Sequence, residues 1–179
     1  MPNQRRRILK GAALALPMLL AGCGFRLAGE RPLPPALKSV FVEVVNPYTV
    51  TAPPLLSAVQ ARITRSGGEV KSDPEQAETA LRLSNLEEAR QVLSIGTDGR
   101  AIEYRLLTRV TYQLTQRGGV TLVPPDTQTV SRDFSFSATQ ILPKEAEEAR
   151  LRNYIQDELA DLVLLRIESE LRKAPPPAQ

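Results

Sequence analysis

From Ile102 to Leu114, Leu107 and Thr108 apart, the chain alternates apolar and polar residues. Ile102, Tyr104, Leu106, Val110, Tyr112 and Leu114 occupy even positions, while Glu103, Arg105, Arg109, Thr111 and Gln113 occupy odd ones. Successive side chains of a strand point to opposite faces, so a period of two this long commits the segment to a strand. One of its faces lies on a core, and the other meets water or a wet interface. Asp98-Gly99 lies in the turn predicted before it, Gly96 to Arg100, and Arg117-Gly118-Gly119 makes the turn after it.

The neighbouring segments supply the rest of a sheet and its cover. Val40-Phe41-Val42-Glu43-Val44-Val45 is short, β-branched and almost uniformly apolar, as expected of a strand inside a sheet. Thr51 and Pro53-Pro54 start a helix in which Leu55, Val59 and Ile63 share one stripe, and Gly67-Gly68 stops it. A strand over about 79–93 opens with Leu81 and Leu83 in alternation, with a bulge marked near Asn85-Leu86. After the central strand, Val130, Phe134 and Phe136 alternate with Ser131, Asp133 and Ser135. Val123-Pro124-Pro125 is expected to loop out between two halves of that strand, because proline cannot join a central ladder.

A long helix is expected over about 144–172, with Glu145, Glu147 and Glu148 in its first turns, where carboxylates suit the helix dipole. Leu151, Ile155, Leu159 and Leu162 form one stripe. Ala160, Val163, Leu164, Ile167 and Leu171 widen it, for a core or for a partner. The predicted fold class is α/β: a two-layer sandwich of about four mixed β-strands with two α-helices on one face.

The N-terminus constrains location rather than fold. Arg5, Arg6, Arg7 and Lys10 precede an apolar run and then Leu20-Ala21-Gly22-Cys23, the pattern of a lipoprotein signal cut before Cys23. The run of about 10 apolar residues is too short for a hydrocarbon core that needs roughly 20. The expected mature chain therefore starts at Cys23, whose thiol takes the diacylglycerol and whose amine is acylated, and it is tethered rather than membrane-spanning. Gly24, in place of a retaining aspartate, favours the outer membrane. Both general secretion and, through Arg5-Arg6-Arg7, a twin-arginine route remain open.

Removing residues 1–22 leaves 19 basic against 20 acidic residues, so the basic character of the chain belongs to the signal and nucleic acid is not an expected partner. There is no histidine, and the single cysteine is the lipidation site. Catalysis by Ser-His-Asp or Cys-His is thereby excluded, and neither an enzyme, a metal site nor a cofactor is expected. The expected organisation is a removed signal (1–22), a lipidated tether (23–37), one domain (38–173) and a Pro-rich disordered tail (174–179).

Cys23-Gly24-Phe25-Arg26-Leu27-Ala28-Gly29 resembles the Cys-Gly-aromatic-x-Leu-Arg-Gly opening of the LPS-assembly lipoprotein family LptE, also called RlpB, with Ala28 where arginine is frequent. The hairpin segment Thr97-Asp98-Gly99-Arg100-Ala101-Ile102-Glu103-Tyr104 is similar to the family's, as is the passage from Arg132-Asp133-Phe134 to Lys144. The resemblance implies an outer-membrane lipoprotein that plugs a large β-barrel, LptD, helps it assemble, and binds lipopolysaccharide on its way to the outer leaflet. It also implies that Lys144 is a ligand-binding residue. Thr97 stands where the family's turn carries its other binding residue, an arginine. Arg100, in the same turn, is the candidate substitute.

Two other readings compete. One is a tethered structural lipoprotein with no lipopolysaccharide role. The other is a carboxylate-dependent hydrolase using Glu87 with Glu88 or Glu145 with Glu148. Adjacent strand residues face opposite ways, which argues against Glu87 and Glu88 as a pair.

Overall fold

A computed structural model describes residues 33–45, 52–135 and 141–173. The expected lipidation site Cys23, the expected signal and Pro-rich tail, Thr51 and Phe136 lie outside them. The elements are β1 (Ser39–Val45), α1 (Pro54–Arg65), β2 (Glu69–Lys71), β3 (Thr79–Ile95), β4 (Ala101–Gln116), β5 (Thr121–Ser135) and α2 (Ile141–Lys173).

The sheet is mixed and has five strands in the order β2-β1-β3-β4-β5. β1 runs parallel to β2 and β3, and β3-β4-β5 is an antiparallel meander. The strand beyond the expected four is β2. At three residues it is too short for alternation to reveal it.

The apolar face of the sheet meets both helices. Val40 and Val42 of β1, Leu81 and Leu83 of β3, and Leu106, Val110, Tyr112 and Leu114 of β4 cluster with Leu55, Val59 and Ile63 of α1. Ile155, Leu159, Val163 and Ile167 of α2 complete the cluster. The broad apolar face of α2 is therefore largely core. Only Leu165 stands out from its second half as a markedly exposed apolar side chain among the described residues.

Three expectations need correction. Leu33 and Leu37 belong to the hydrophobic core, and Pro35–Leu37 forms a 3-10 turn. The folded part therefore begins inside the 23–37 stretch expected as tether. Pro124 and Pro125 do not divide their strand. β5 is continuous, and its register shifts so that two residues oppose one between the pairs Tyr112–Asp126 and Leu114–Val123. An edge strand carrying a bulge has amide positions that need no ladder partner, which is where proline is tolerated. Finally, α2 begins at Ile141, so its first turn contains no acidic residue, and Glu148 pairs with arginines instead.

The bulge expected in β3 is present. Asn85 has φ of +50°, a left-handed backbone that asparagine tolerates, and the β3–β4 register shifts between Ser84 and Glu87. Its consequence is a change of phase. Before it, Thr79, Leu81 and Leu83 face the helices. After it, Glu88, Arg90 and Val92 do, opposite Thr108, Leu106 and Tyr104.

Candidate functional site

The β3–β4 hairpin runs on past the end of the β1–β3 pairing at Ser84, and its tip is the turn containing Arg100. Asp98 shapes this turn by accepting the Arg100 backbone N–H at 3.1 Å, while the Gly96 N–H donates to the Arg100 carbonyl at 2.7 Å. The Arg100 guanidinium is three-quarters exposed, with its nearest carboxylate, Asp98, at 3.9 Å. Val92, Leu93, Ile95 and Ile102 are exposed on the same tip.

Register brings the start of α2 to this end of the sheet. Ser135, where β5 ends, pairs with Glu103 near the turn, and α2 begins at Ile141. Lys144 lies in the first turn of α2, one turn before Glu148. The two candidate binding positions thus belong to segments that meet at one end of the sheet.

Between those segments lies a polar chain that pattern reading did not find. Gln156 of α2, buried to 4% exposure, accepts the Leu55 N–H at 2.7 Å and donates to Glu88. Leu55 is in the first turn of α1, where the backbone N–H groups have no helical acceptor, and Pro53 supplies no side-chain cap. A side chain from another helix therefore caps α1. Arg152 donates to Glu88 at 3.0 Å and to Glu148 at 2.7 Å, and Arg90 donates to Glu148 at 3.2 Å. The Arg90 guanidinium also lies 4.8 Å from the Tyr104 ring centroid, and that ring stacks on Phe134 at 5.6 Å. Burial opposes ionisation of Glu148, but Arg152 and Arg90 outweigh it and hold the carboxyl below its usual range. Beside this chain, Arg132 pairs with Glu158 and lies 5.7 Å from the Tyr154 ring centroid. Sequence carried one usable signal, the bulge that turns Glu88 and Arg90 inward. The partners on α2 lie at distant positions that no local spacing relates to Glu88 and Arg90.

The opposite face of the sheet is lined with exposed, mutually paired groups. Arg105 binds Asp133 in a two-pronged contact at 2.7 and 2.8 Å, Arg109 binds Glu87 at 2.6 Å, and Thr111 meets Thr127 at 3.0 Å. The hydrogen bond from Arg105 holds the Asp133 carboxyl below its usual range.

The carboxylate pairs weighed for hydrolysis are not assembled as acid and base. Glu87 serves the open face with Arg109, while Glu88 serves the helix side with Arg152 and Gln156. Glu145 is exposed, whereas Glu148 is tied to two arginines. Among the described residues there is no group of three or more metal-ligating side chains, and no helix is long and apolar enough to cross a membrane.

Comparison with known proteins decides the family. The LptE model, described as lipopolysaccharide-assembly, matches residues 37–167. This chain belongs to the LptE family. It is 29% identical over 164 residues to the LPS-assembly lipoprotein LptE of Yersinia enterocolitica, covering 91% of this chain and 76% of that one. To the LPS-assembly lipoprotein LptE of Pectobacterium atrosepticum it is 26% identical over 151 residues, covering 84% and 79%. The fold is shared with lipoprotein B of Nitrosomonas europaea, solved by NMR, at a TM-score of 0.65 and 24% identity, over 82% of this chain and 91% of that one. A minor lipoprotein of Acinetobacter baumannii, solved by crystallography, gives 0.61 and 22% over 78% and 98%. The LptE resemblance expected from the hairpin and strand exit is thus matched by a family model spanning both segments.

Proposed function

We propose that this LptE-family chain is an outer-membrane lipoprotein, anchored through lipid on Cys23, that plugs an LptD-type β-barrel and binds lipopolysaccharide during its insertion. The observation that carries this reading is the family match across residues 37–167, which includes the hairpin and most of the helix bearing Lys144. Lys144 and Arg100 are the proposed contacts to the ligand's phosphates, since a cation at a turn or helix start can form charge-assisted hydrogen bonds with phosphate oxygens. The open face of the sheet supports the plug role. Its paired charges remain compatible with water and with the hydrophilic inner wall of a large barrel.

The test is affinity purification of the tagged, lipidated chain from native outer membranes in mild detergent. Recovery of one large barrel in about equal amount, and lipopolysaccharide capture that drops when Lys144 and Arg100 are both changed to Asp, are the expected results. A chain recovered alone would overturn the plug role and leave a tethered structural lipoprotein. Undiminished capture by the double variant would overturn the two contacts.

A further inference from the structure

We propose that the chain Gln156–Glu88–Arg152–Glu148–Arg90 is a positioning relay that fixes the first turns of α2, and with them Lys144, against the β3–β4 hairpin for binding a phosphorylated amphiphile. The inference rests on the binding role given to Lys144 above and adds residues that do not themselves touch the ligand.

Three observations support it. First, the two halves of α2 are held differently. Its second half sits in the core through Leu159, Val163 and Ile167, whereas its first half, which reaches the core through Ile155 and the partly buried Leu151, is also tied to β3 by Glu148, Arg152 and Gln156. Second, this arrangement requires the bulge at Asn85. Without that change of phase, Glu88 and Arg90 would face the open side of the sheet. Third, the chain is alternating and closed: cation, carboxylate, cation, carboxylate and amide, ending on the N–H of Leu55. A row of apolar side chains would hold the helix at least as firmly. Directional, charge-assisted bonds add a defined axial placement, because each guanidinium accepts only a narrow set of carboxylate positions. The relay therefore sets where along β3 the helix begins. Arg90, at its outer end, stands in the strand leading to the turn of Arg100, and Glu148 stands one turn after Lys144.

A double-mutant cycle separates positioning from general stability. Binding of purified lipopolysaccharide to the full-length lipidated chain is measured for Lys144→Ala, for Glu148→Gln and for the combination, with Arg90→Gln as a second, more exposed relay variant. Thermal midpoints accompany each variant. Lys144→Ala is expected to weaken binding about tenfold in the native background but less than about threefold once Glu148 or Arg90 has been changed, because a misplaced lysine has little left to lose. A purely structural relay would lower the thermal midpoint and leave the Lys144 factor the same in every background, which would overturn the relay alone. Native binding with no effect of Lys144→Ala would overturn the ligand contact and the relay together.

Discussion

A methyl group at position 68 would stand 2.6 Å from Ile63 Cγ2, 2.7 Å from the Leu37 carbonyl oxygen and 2.8 Å from Leu33 Cδ2. The carbonyl is backbone and cannot swing away, so α1 would have to leave the segment that enters β1. Gly68→Ala is expected to cost about 1–3 kcal/mol, read as a lower urea midpoint. Gly67→Ala, with φ of +86° but open space around it, should cost only about 1 kcal/mol of backbone strain. Tyr112 gives a second test at this scale. Its phenol is buried and donates to Asp126 at 2.9 Å; burial first, and then Asp126, push its pKa from 10.0 to about 12. The folded state therefore keeps a proton that the unfolded chain loses. This stabilisation is full below pH 10 and lost as pH rises from there through about 12. The same bond, with the Thr127 N–H, lowers the Asp126 pKa below 3.8, so that contribution holds above this value and fades as pH falls through the lowered one. Urea midpoints measured across pH 8–12 should fall more steeply for the native chain than for Tyr112→Phe. Parallel alkaline limbs would contradict the assignment.

Proline placement in β5 has a consequence for the element as a whole. β5 is an edge strand with exposed backbone, and such edges invite pairing with a second chain. Pro124 and Pro125 remove two donors and accompany a bulge, interrupting any continuous ladder. Replacing them with Thr and Val should leave the monomer folded but increase self-association, seen as concentration-dependent light scattering. An unchanged monomer would mean that other features protect the edge. The sequence made most elements readable for the same reason that it made this strand misleading. Alternation and helical stripes report burial, so β4, α1 and the bulge at Asn85 could be placed from pattern. Proline reports only a missing donor, and whether that matters depends on strand order, which pattern does not encode. β2 escaped because Glu69-Val70-Lys71 is shorter than one readable period.

For the whole molecule, the family was legible in short ordered motifs, while the relay beneath α2 was not. Its bonds join positions 88, 90, 148, 152 and 156, and only the 148–152 pair has a helical spacing that sequence alone would suggest. The open face lies between these cases. Alternation showed that it is polar, but not that Arg105 and Arg109 have their own acidic partners. That pairing permits a whole-molecule test of the plug reading. Exchanging Arg105→Asp with Asp133→Arg keeps an ion pair across β4 and β5 and reverses its polarity toward anything facing the sheet. An exposed pair contributes little to folding, so the thermal midpoint should stay within about 2 °C of the native chain. Barrel recovered per molecule of lipoprotein should nevertheless fall severalfold if this face packs against the lumen wall, because close like charges are costly at an interface. Full recovery with an unchanged midpoint would move the contact to another surface. In that case the self-paired charges of the open face would serve only its compatibility with water.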